Sequence, residues 1–463
     1  MNKKYFAGIG LIVLFSTTVL TSCGIRSTYK EPELPKNLYR GENPTDTTTI
    51  ASIPWRDYYP DAYLQSLIDE GLENNFDLQI AVTRIQQAEA SLGITKAAFF
   101  PDLTLVGKFN QDRYSVGTHV LKGHQETYML GVSSSWELDI WGKMYKQKRG
   151  ALMQFLQTHA YRNLIQTSLI ANIATSYYSL LALDEQLKVT KDMLNLLSET
   201  VETMEALKDA GILNGAAVEQ SKSVYYSTQV SIPDLEKQIR SIENSICLLI
   251  GREPSSILRN NINEQRVRLD VSHGVPSQML ARRPDVKQAE YGFRAAFEAV
   301  GVAQASFYPS ISISGTIGYS KANGVEQFFK PENIIANIVG NLVQPIFAKK
   351  QLTGQLKIAK ARQEETLLTF KQTVLTAGNE VSDALFNYQM SMAKNTIRAN
   401  QVLATETSVY FTKELLNAGE ANYTEVLTAQ QNLLQAQLGQ VNDKLEQLQA
   451  TVILYRALGG GLE

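Results

Sequence analysis

The sequence predicts a mixed α+β membrane protein built from two tandem structural repeats. Long α-helices would form a coiled-coil barrel, and four β-strands per chain, twelve in a homotrimer, a transmembrane β-barrel. Three observations carry this. The phrase "FFPDLTLVG" at 99–107 returns as "FYPSISISG" at 307–315. Apolar and polar residues alternate strictly after each copy. Between the copies run long stretches with heptad-like apolar spacing.

The repeat comes first. Aligning Phe100-Pro101 with Tyr308-Pro309 gives an offset of 308 − 100 = 208. At that offset Asp77 meets Asp285, Gly93 meets Gly301, Ala210-Gly211 meets Ala418-Gly419, and Ile250-Gly251 meets Leu458-Gly459. The period is far longer than that of a solenoid, so it reads as a tandem duplication, repeat 1 over 61–263 and repeat 2 over 264–463.

The strands are read from period-2 alternation. Leu103, Leu105, Gly107 and Phe109 alternate with Asp102, Thr104, Val106 and Lys108, and Ile311, Ile313, Gly315 and Ile317 with Ser312, Ser314 and Thr316. A second strand follows each, giving strand pairs within 101–141 and 309–347, with Gly- and polar-rich loops expected at 111–126 and 321–333. About ten tilted residues cross a bilayer. The helices are expected at 77–98 and 284–305, and as long hairpins over 143–250 and 350–458. Rows such as Leu187, Leu194, Leu197, Val201 and Met204, or Leu434, Leu438, Val441, Leu445, Leu448, Val452 and Tyr455, have coiled-coil spacing. Pro233 is expected to bend the first return helix. The 65 residues of 143–207 would extend about 100 Å.

Composition narrows the function. The 463 residues carry a net charge of −2 and are 44% hydrophobic, so no basic field for nucleic acid exists. No internal run is long and apolar enough for a spanning helix. Residues 1–22 read as an export signal: basic Asn2-Lys3-Lys4, an apolar stretch from Tyr5 to Leu20, then "LTSC" ending at Cys23. The cysteine at the cut predicts a bacterial lipoprotein signal, acylated at Cys23 and anchored to one leaflet. Residues 23–60 would be an N-terminal collar segment. Cys247 in "SICLLIG" is expected to be a small buried core residue.

Four strands cannot wall off a pore, and open sheet edges are not tolerated in lipid. Two chains would give eight strands, whose interior side chains fill. Three would give twelve and an aqueous bore. The repeated phrase would then mark where each half enters the membrane.

The chain resembles the TolC-type outer-membrane factors of tripartite efflux systems, the lipoprotein, OprM-like branch especially. The residues that carry this are "LTSC" at 20–23, "WRDYYPDAYLQSLIDEGLENNFDLQIAVTRIQQAEA" at 55–90, "ARRPDVKQAE" at 281–290, both strand phrases and "LYRALGGG" at 454–461. The resemblance implies a trimeric outer-membrane barrel, a periplasmic helical barrel and a mid-height collar taking 24–60 and 257–276. Its implied partners are a periplasmic adaptor and an inner-membrane pump, usually proton-driven and of the RND type.

No catalytic set is present, and no P-loop. His119 and His124 fall in a predicted external loop, His159 in a helix and His273 in the collar; none has zinc-ligand companions, so no metal or cofactor is expected. The helix turns are the informative places. Gly211 and Gly419 sit where a helix must stop, suiting a left-handed cap. The resemblance implies a gate there, with Glu425 where the family often has an Asp and Thr428 where a second Asp is usual. Glu420 or Glu219 could substitute for the missing carboxylate. Two carboxylates 6 Å apart would repel by roughly 3 kcal/mol at an effective dielectric of about 20. An adaptor would meet the turns at Gly211, Ile212, Leu213, Gly419, Ala421, Asn422 and Tyr423. The expected function is a passive exit duct for drugs, toxic compounds or metal ions, opened by adaptor docking. A duct for type I protein secretion and a lipid-anchored scaffold without a pore stay open beside it.

Overall fold

The computed structural model describes residues 29–30, 32, 53–116, 121–266 and 282–462. Cys23, the signal segment, His119 and His273 lie outside the described residues, as do 24–28, 31, 33–52 and 267–276 of the expected collar. In order, the elements are α1 (Trp55–Tyr58), α2 (Ala62–Asn74), α3 (Phe76–Ala97), β1 (Thr104–Val116), β2 (Leu121–Leu138), α4 (Lys143–Asp209), α5 (Gly215–Leu249), α6 (Pro284–Ala305), β3 (Ser310–Ala322), β4 (Ile334–Val343), α7 (Gln351–Asn417) and α8 (Tyr423–Ala457), with short 3-10 turns at Ile262–Glu264 and Pro331–Asn333. None of the described helices is long and apolar enough to cross a membrane.

The repeat is kept to the residue. Helices α3 and α6 are both 22 residues long, α4 and α7 both 67, and α5 and α8 both 35. Each pair starts 208 residues apart, as in 351 − 143 = 208.

The chain divides into two compact units, one of Met1–Glu33, Ile85–Thr158 and Ala289–Phe370, the other of Leu34–Arg84, His159–Gln288 and Lys371–Glu463. The first contains a four-stranded antiparallel sheet in the order β1-β2-β3-β4. The repeated phrase is its helix-to-strand junction. Pro101 and Pro309 follow α3 and α6, where a missing N–H stops a helix. The Trp136 indole donates to Phe99 O at 2.9 Å, and the Trp141 indole to Pro309 O at 2.6 Å. Trp141 also stacks on Tyr308, centroids 5.0 Å apart. Asp139 opens α4 by accepting from Met144 N and Tyr145 N, both at 2.8 Å. Deep in this unit Glu298, 2% exposed, receives Lys146 at 3.1 Å and Arg149 at 2.9 Å.

The first hairpin departs from expectation. Residues 111–126 were expected as a loop, but pairing continues from Gln111↔Glu126 to Val116↔Leu121, and His124 stands in β2 opposite Arg113. Polar composition does not prevent a strand whose backbone groups find partners across the ladder. Strands β1 and β2 thus run to 13 and 18 residues.

The second unit has an apolar core of Trp55, Tyr59, Leu64 and Ile68 against Ile170, Ile173, Tyr177 and Leu181 of α4, with Ile246, Cys247 and Tyr455. Cys247 is 1% exposed, as its apolar setting indicated. Helix α2 was not foreseen. Asp61 caps it, accepting from Tyr63 N at 2.9 Å and Leu64 N at 3.3 Å, and Leu64, Leu67 and Ile68 face the core. The return helices close alike. Gly251 and Gly459 take φ of 69° and 90°, and Arg252 N and Gly460 N reach back to Cys247 O and Tyr455 O, each at 2.9 Å. The last carbonyls are met by different side chains: Asn75 Nδ2 donates to Leu249 O at 2.8 Å, and Arg283 Nη1 to Ala457 O at 2.9 Å.

Candidate functional site

Two places carry the candidate function: the sheet faces and the hairpin turns. Register assigns every strand residue to a face. Leu105 pairs with Val132, Val132 with Ile317, and Ile317 with Ala336; Trp136 pairs with Ile313 and Ile311 with Leu342. One face therefore holds Leu105, Phe109, Leu130, Val132, Trp136, Ile313, Ile317, Ile338 and Leu342. The opposite face holds Thr104, Lys108, Ser133, Ser135, Ser312, Ser314, Thr316, Asn337 and Asn341, with Val106, Met129, Ile335, Val339 and Val343 among them. The apolar face is open: Leu105 is 73% exposed, Ile338 84% and Leu342 67%. On the other face Thr316 Oγ1 lies 3.3 Å from Ser133 Oγ, and Asn337 Oδ1 accepts from Thr316 N at 3.1 Å. Both edge strands, β1 and β4, lack an outer partner among the described residues. An apolar face, a hydroxyl-rich face and two open edges are what a piece of a water-filled barrel in lipid requires.

The turns lie in the other unit. Each begins with a glycine in the left-handed region, Gly211 and Gly419, both at φ 76°. Ile212 N bonds Leu207 O and Glu420 N bonds Leu415 O, each at 2.9 Å. Each ends on an asparagine cap: Asn214 accepts from Ala217 N at 3.2 Å, Asn422 from Thr424 N at 3.4 Å. The expected tip residues Gly211, Ile212, Leu213, Gly419, Ala421 and Asn422 are thus on these turns, Tyr423 is the first residue of α8, and Ile212 is 68% exposed.

The three candidate gate carboxylates stand in different settings. Glu425 is exposed in the first turn of α8, and Glu420 is exposed on the turn itself. Glu219 faces Lys222 at 3.8 Å, so its charge is partly matched within the first hairpin. No hydrogen bond or ion pair joins the three among the described residues. Thr428 donates to Thr424 O at 2.7 Å, a backbone role an Asp could not take when ionised.

The sequence did not announce the ties within and between the hairpins. Lys222 donates to Glu205 at 2.8 Å; this bond lowers the Glu205 pKa and raises that of Lys222. Lys413 reaches Glu199 at 3.3 Å, Gln430 Nε2 donates to Thr200 Oγ1 at 2.8 Å, and Tyr423 Oη to Gln220 Oε1 at 3.3 Å. Beneath them Met193, Leu197, Val409, Ala429 and Leu433 form a small apolar cluster.

A sequence profile described as outer membrane efflux protein matches residues 67–252 and again 275–460, most of the chain. The chain belongs to the outer membrane efflux protein family. Within this efflux family, the cation efflux system protein CusC of Escherichia coli (strain K12) is 26% identical over 452 residues, covering 96% of this chain and 97% of its own. The probable efflux pump outer membrane protein TtgC of Pseudomonas putida is 28% identical over 468 residues, covering 96% and 93%. Among solved structures, the outer-membrane channel OprN superposes with a TM-score of 0.88 at 24% identity over 95% of this chain and all of that one. A crystal structure of CusC does so with a TM-score of 0.84 at 25% identity and the same coverage. The double match of the family profile bears out the two repeats read from the sequence, and the superpositions bear out a helical barrel joined to a β-domain.

Proposed function

We propose that this outer-membrane efflux channel is a passive homotrimeric exit duct of a tripartite system, passing small molecules from the periplasmic side to the exterior. The observation that carries the proposal is the sheet with one apolar face, one hydroxyl-rich face and two open edges. Edge groups left unpaired in lipid cost several kcal/mol each. Pairing β1 of one copy with β4 of the next removes that cost, and three copies leave a bore where two would be filled. The relatives' names support an exported small molecule and divide over its identity: cations for CusC, toluene for a Pseudomonas putida channel also called TtgC. Cargo choice then rests with the inner-membrane pump, taken to be of the RND type. The protein performs no bond chemistry in this reading.

A periplasmic adaptor docks on the turns around Gly211–Leu213 and Gly419–Tyr423, whose exposed Ile212 and glycine backbones offer a close approach to another helical hairpin. Glu425, one per copy, forms the gate's acidic ring, with Glu420 beside it. Cys23 holds outer-membrane lipid. The test is purification of the full chain in detergent, followed by mass determination and planar-bilayer recording. A trimer with ion conductance is expected; a monomer with none would overturn the duct. In the same recordings Glu425→Gln is expected to reduce preference for cations or change closed-state leak, and unchanged conductance and ion preference would remove Glu425 from the gate.

A further inference from the structure

The loop between β3 and β4 does more than connect them. It folds back on the apolar face of the sheet, where Phe328 and Phe329 meet the Tyr319 ring at 6.2 and 5.3 Å. Under the loop lies an open recess of about 880 Å³, lined by Gly107, Phe109, Tyr128 and Leu130 from the strands and by Val325 and Phe329 from the loop. That volume falls in the range of small-ligand pockets, roughly 300–1,000 Å³. Its floor is open because position 107 carries no side chain; a Cβ there would meet only Leu130 Cδ1, at 3.9 Å. In the first hairpin the described residues continue instead as a ladder to Val116↔Leu121.

The geometry points to a binding site for the acyl chain of a membrane lipid, held between the loop and the β1–β2 ladder. The inference rests on the duct reading, in which this face meets the bilayer. Three features favour an acyl chain over other occupants. The recess is continuous with the exposed apolar face of Leu105, Ile317 and Ile338, so a chain enters from the bilayer without crossing water. Its lining is mostly aromatic and aliphatic, suiting an acyl chain, and its polar members are Lys108, Gln327 and Lys330. It lies against the middle of the β1–β2 ladder and beside the ends of β3 and β4 away from the helices, where Tyr319, Phe328 and Phe329 gather as aromatic rings do at a membrane interface. Phe329, 67% exposed, and Val325, 60% exposed, form a roof with no partner above it among the described residues.

The test uses the full chain reconstituted into phosphatidylethanolamine–phosphatidylglycerol vesicles. A trace of phosphatidylglycerol carries a diazirine midway along one acyl chain, and adducts are mapped by mass spectrometry after irradiation. Labelling at Phe109 and Phe329 is expected to exceed that at Ile313 and Leu342 on the same face by about fivefold, equivalent to about 1 kcal/mol of preferred residence. Gly107→Phe, which fills the floor, and Phe329→Ser, which opens the roof outside the strands, should each erase that excess and leave labelling at Ile313 unchanged. Even labelling across the apolar face would overturn the site and leave the duct intact. A recess cross-linked to a second copy's strand, with no lipid adduct, would also overturn it. Absence of lipid adducts from the whole face would instead strike the membrane reading itself.

Discussion

The two helical hairpins share a backbone plan and differ in what ties them down. In the first, Glu205 of α4 and Lys222 of α5 pair with each other at 2.8 Å, closing the hairpin on itself. The equivalent positions in the second, at the offset of 208, are Lys413 and Gln430. These do not bond each other; they reach to Glu199 and Thr200 of the first hairpin. One hairpin is self-supporting and the other leans on it. Duplication thus set the skeleton, and substitution of a few polar side chains gave the two halves different jobs. The same holds at the base, where Asn75 and Arg283 bond the equivalent carbonyls Leu249 O and Ala457 O.

The base gives the largest expected contrast. Arg283 is 6% exposed and also holds Asp285 at 2.7 Å and Glu380 at 2.6 Å. Burial opposes its charge, but hydrogen bonds to both carboxylates outweigh this and raise its pKa. Arg283→Ala is expected to destabilise by about 3–5 kcal/mol, as for a broken buried pair, and Asn75→Ala by about 1 kcal/mol, as for a lost cap. Thermal unfolding followed by circular dichroism measures both, and equal losses would show that the two caps are interchangeable. Next come Leu105 and Ile313, equivalent positions on the apolar face. Leu105→Arg and Ile313→Arg should each cost about 2–4 kcal/mol in the membrane and impair assembly, while Ser312→Arg on the other face should not. Assembly is read by outer-membrane fractionation. Smaller still, Gly211→Ala and Gly419→Ala should each cost about 1 kcal/mol, because both residues sit at φ 76°; a difference between them in urea unfolding would show that one turn is relieved by its surroundings.

The smallest effect is the pH response of the first hairpin. The bond from Lys222 holds Glu205 below its ordinary 4.5, and the bond to Glu205 holds Lys222 above its ordinary 10.5. The support from Glu205 is present above pH 4.5 and lost as pH falls through its lowered pKa; that from Lys222 is present below pH 10.5 and lost as pH rises through its raised one. Hydrogen exchange at this turn should quicken toward acid, after correction for intrinsic rates, and Glu205→Gln should remove the response. A wild-type turn indifferent to acid would mean that the pair contributes nothing.

Long-period features were legible in the sequence. Helices expected at 284–305 and 77–98 stand at Pro284–Ala305 and Phe76–Ala97, because proline and the switch to period 2 mark their ends. The turn glycines were legible for the same local reason. Burial within α4 was harder. Leu187, Leu194 and Val201 are only half-buried, and the buried row is Thr190, Met193, Leu197, Thr200 and Met204. Threonine reads as polar, yet Thr190 and Thr200 bond carbonyls four residues back and pack as methyl groups. Pro233 lies inside a continuous α5. The ties from Lys413 and Gln430 were illegible because their partners lie more than 200 residues away, and only the packed register brings them together.

Equal helix lengths have a mechanical meaning. One residue added to a straight helix turns everything beyond it by about 100° and advances it by about 1.5 Å. In a 67-residue rod such a slip near the start would point the far turn in a wrong direction. The matched lengths of all three helix pairs show that phase, more than residue identity, is what drift in either half has been forbidden to alter.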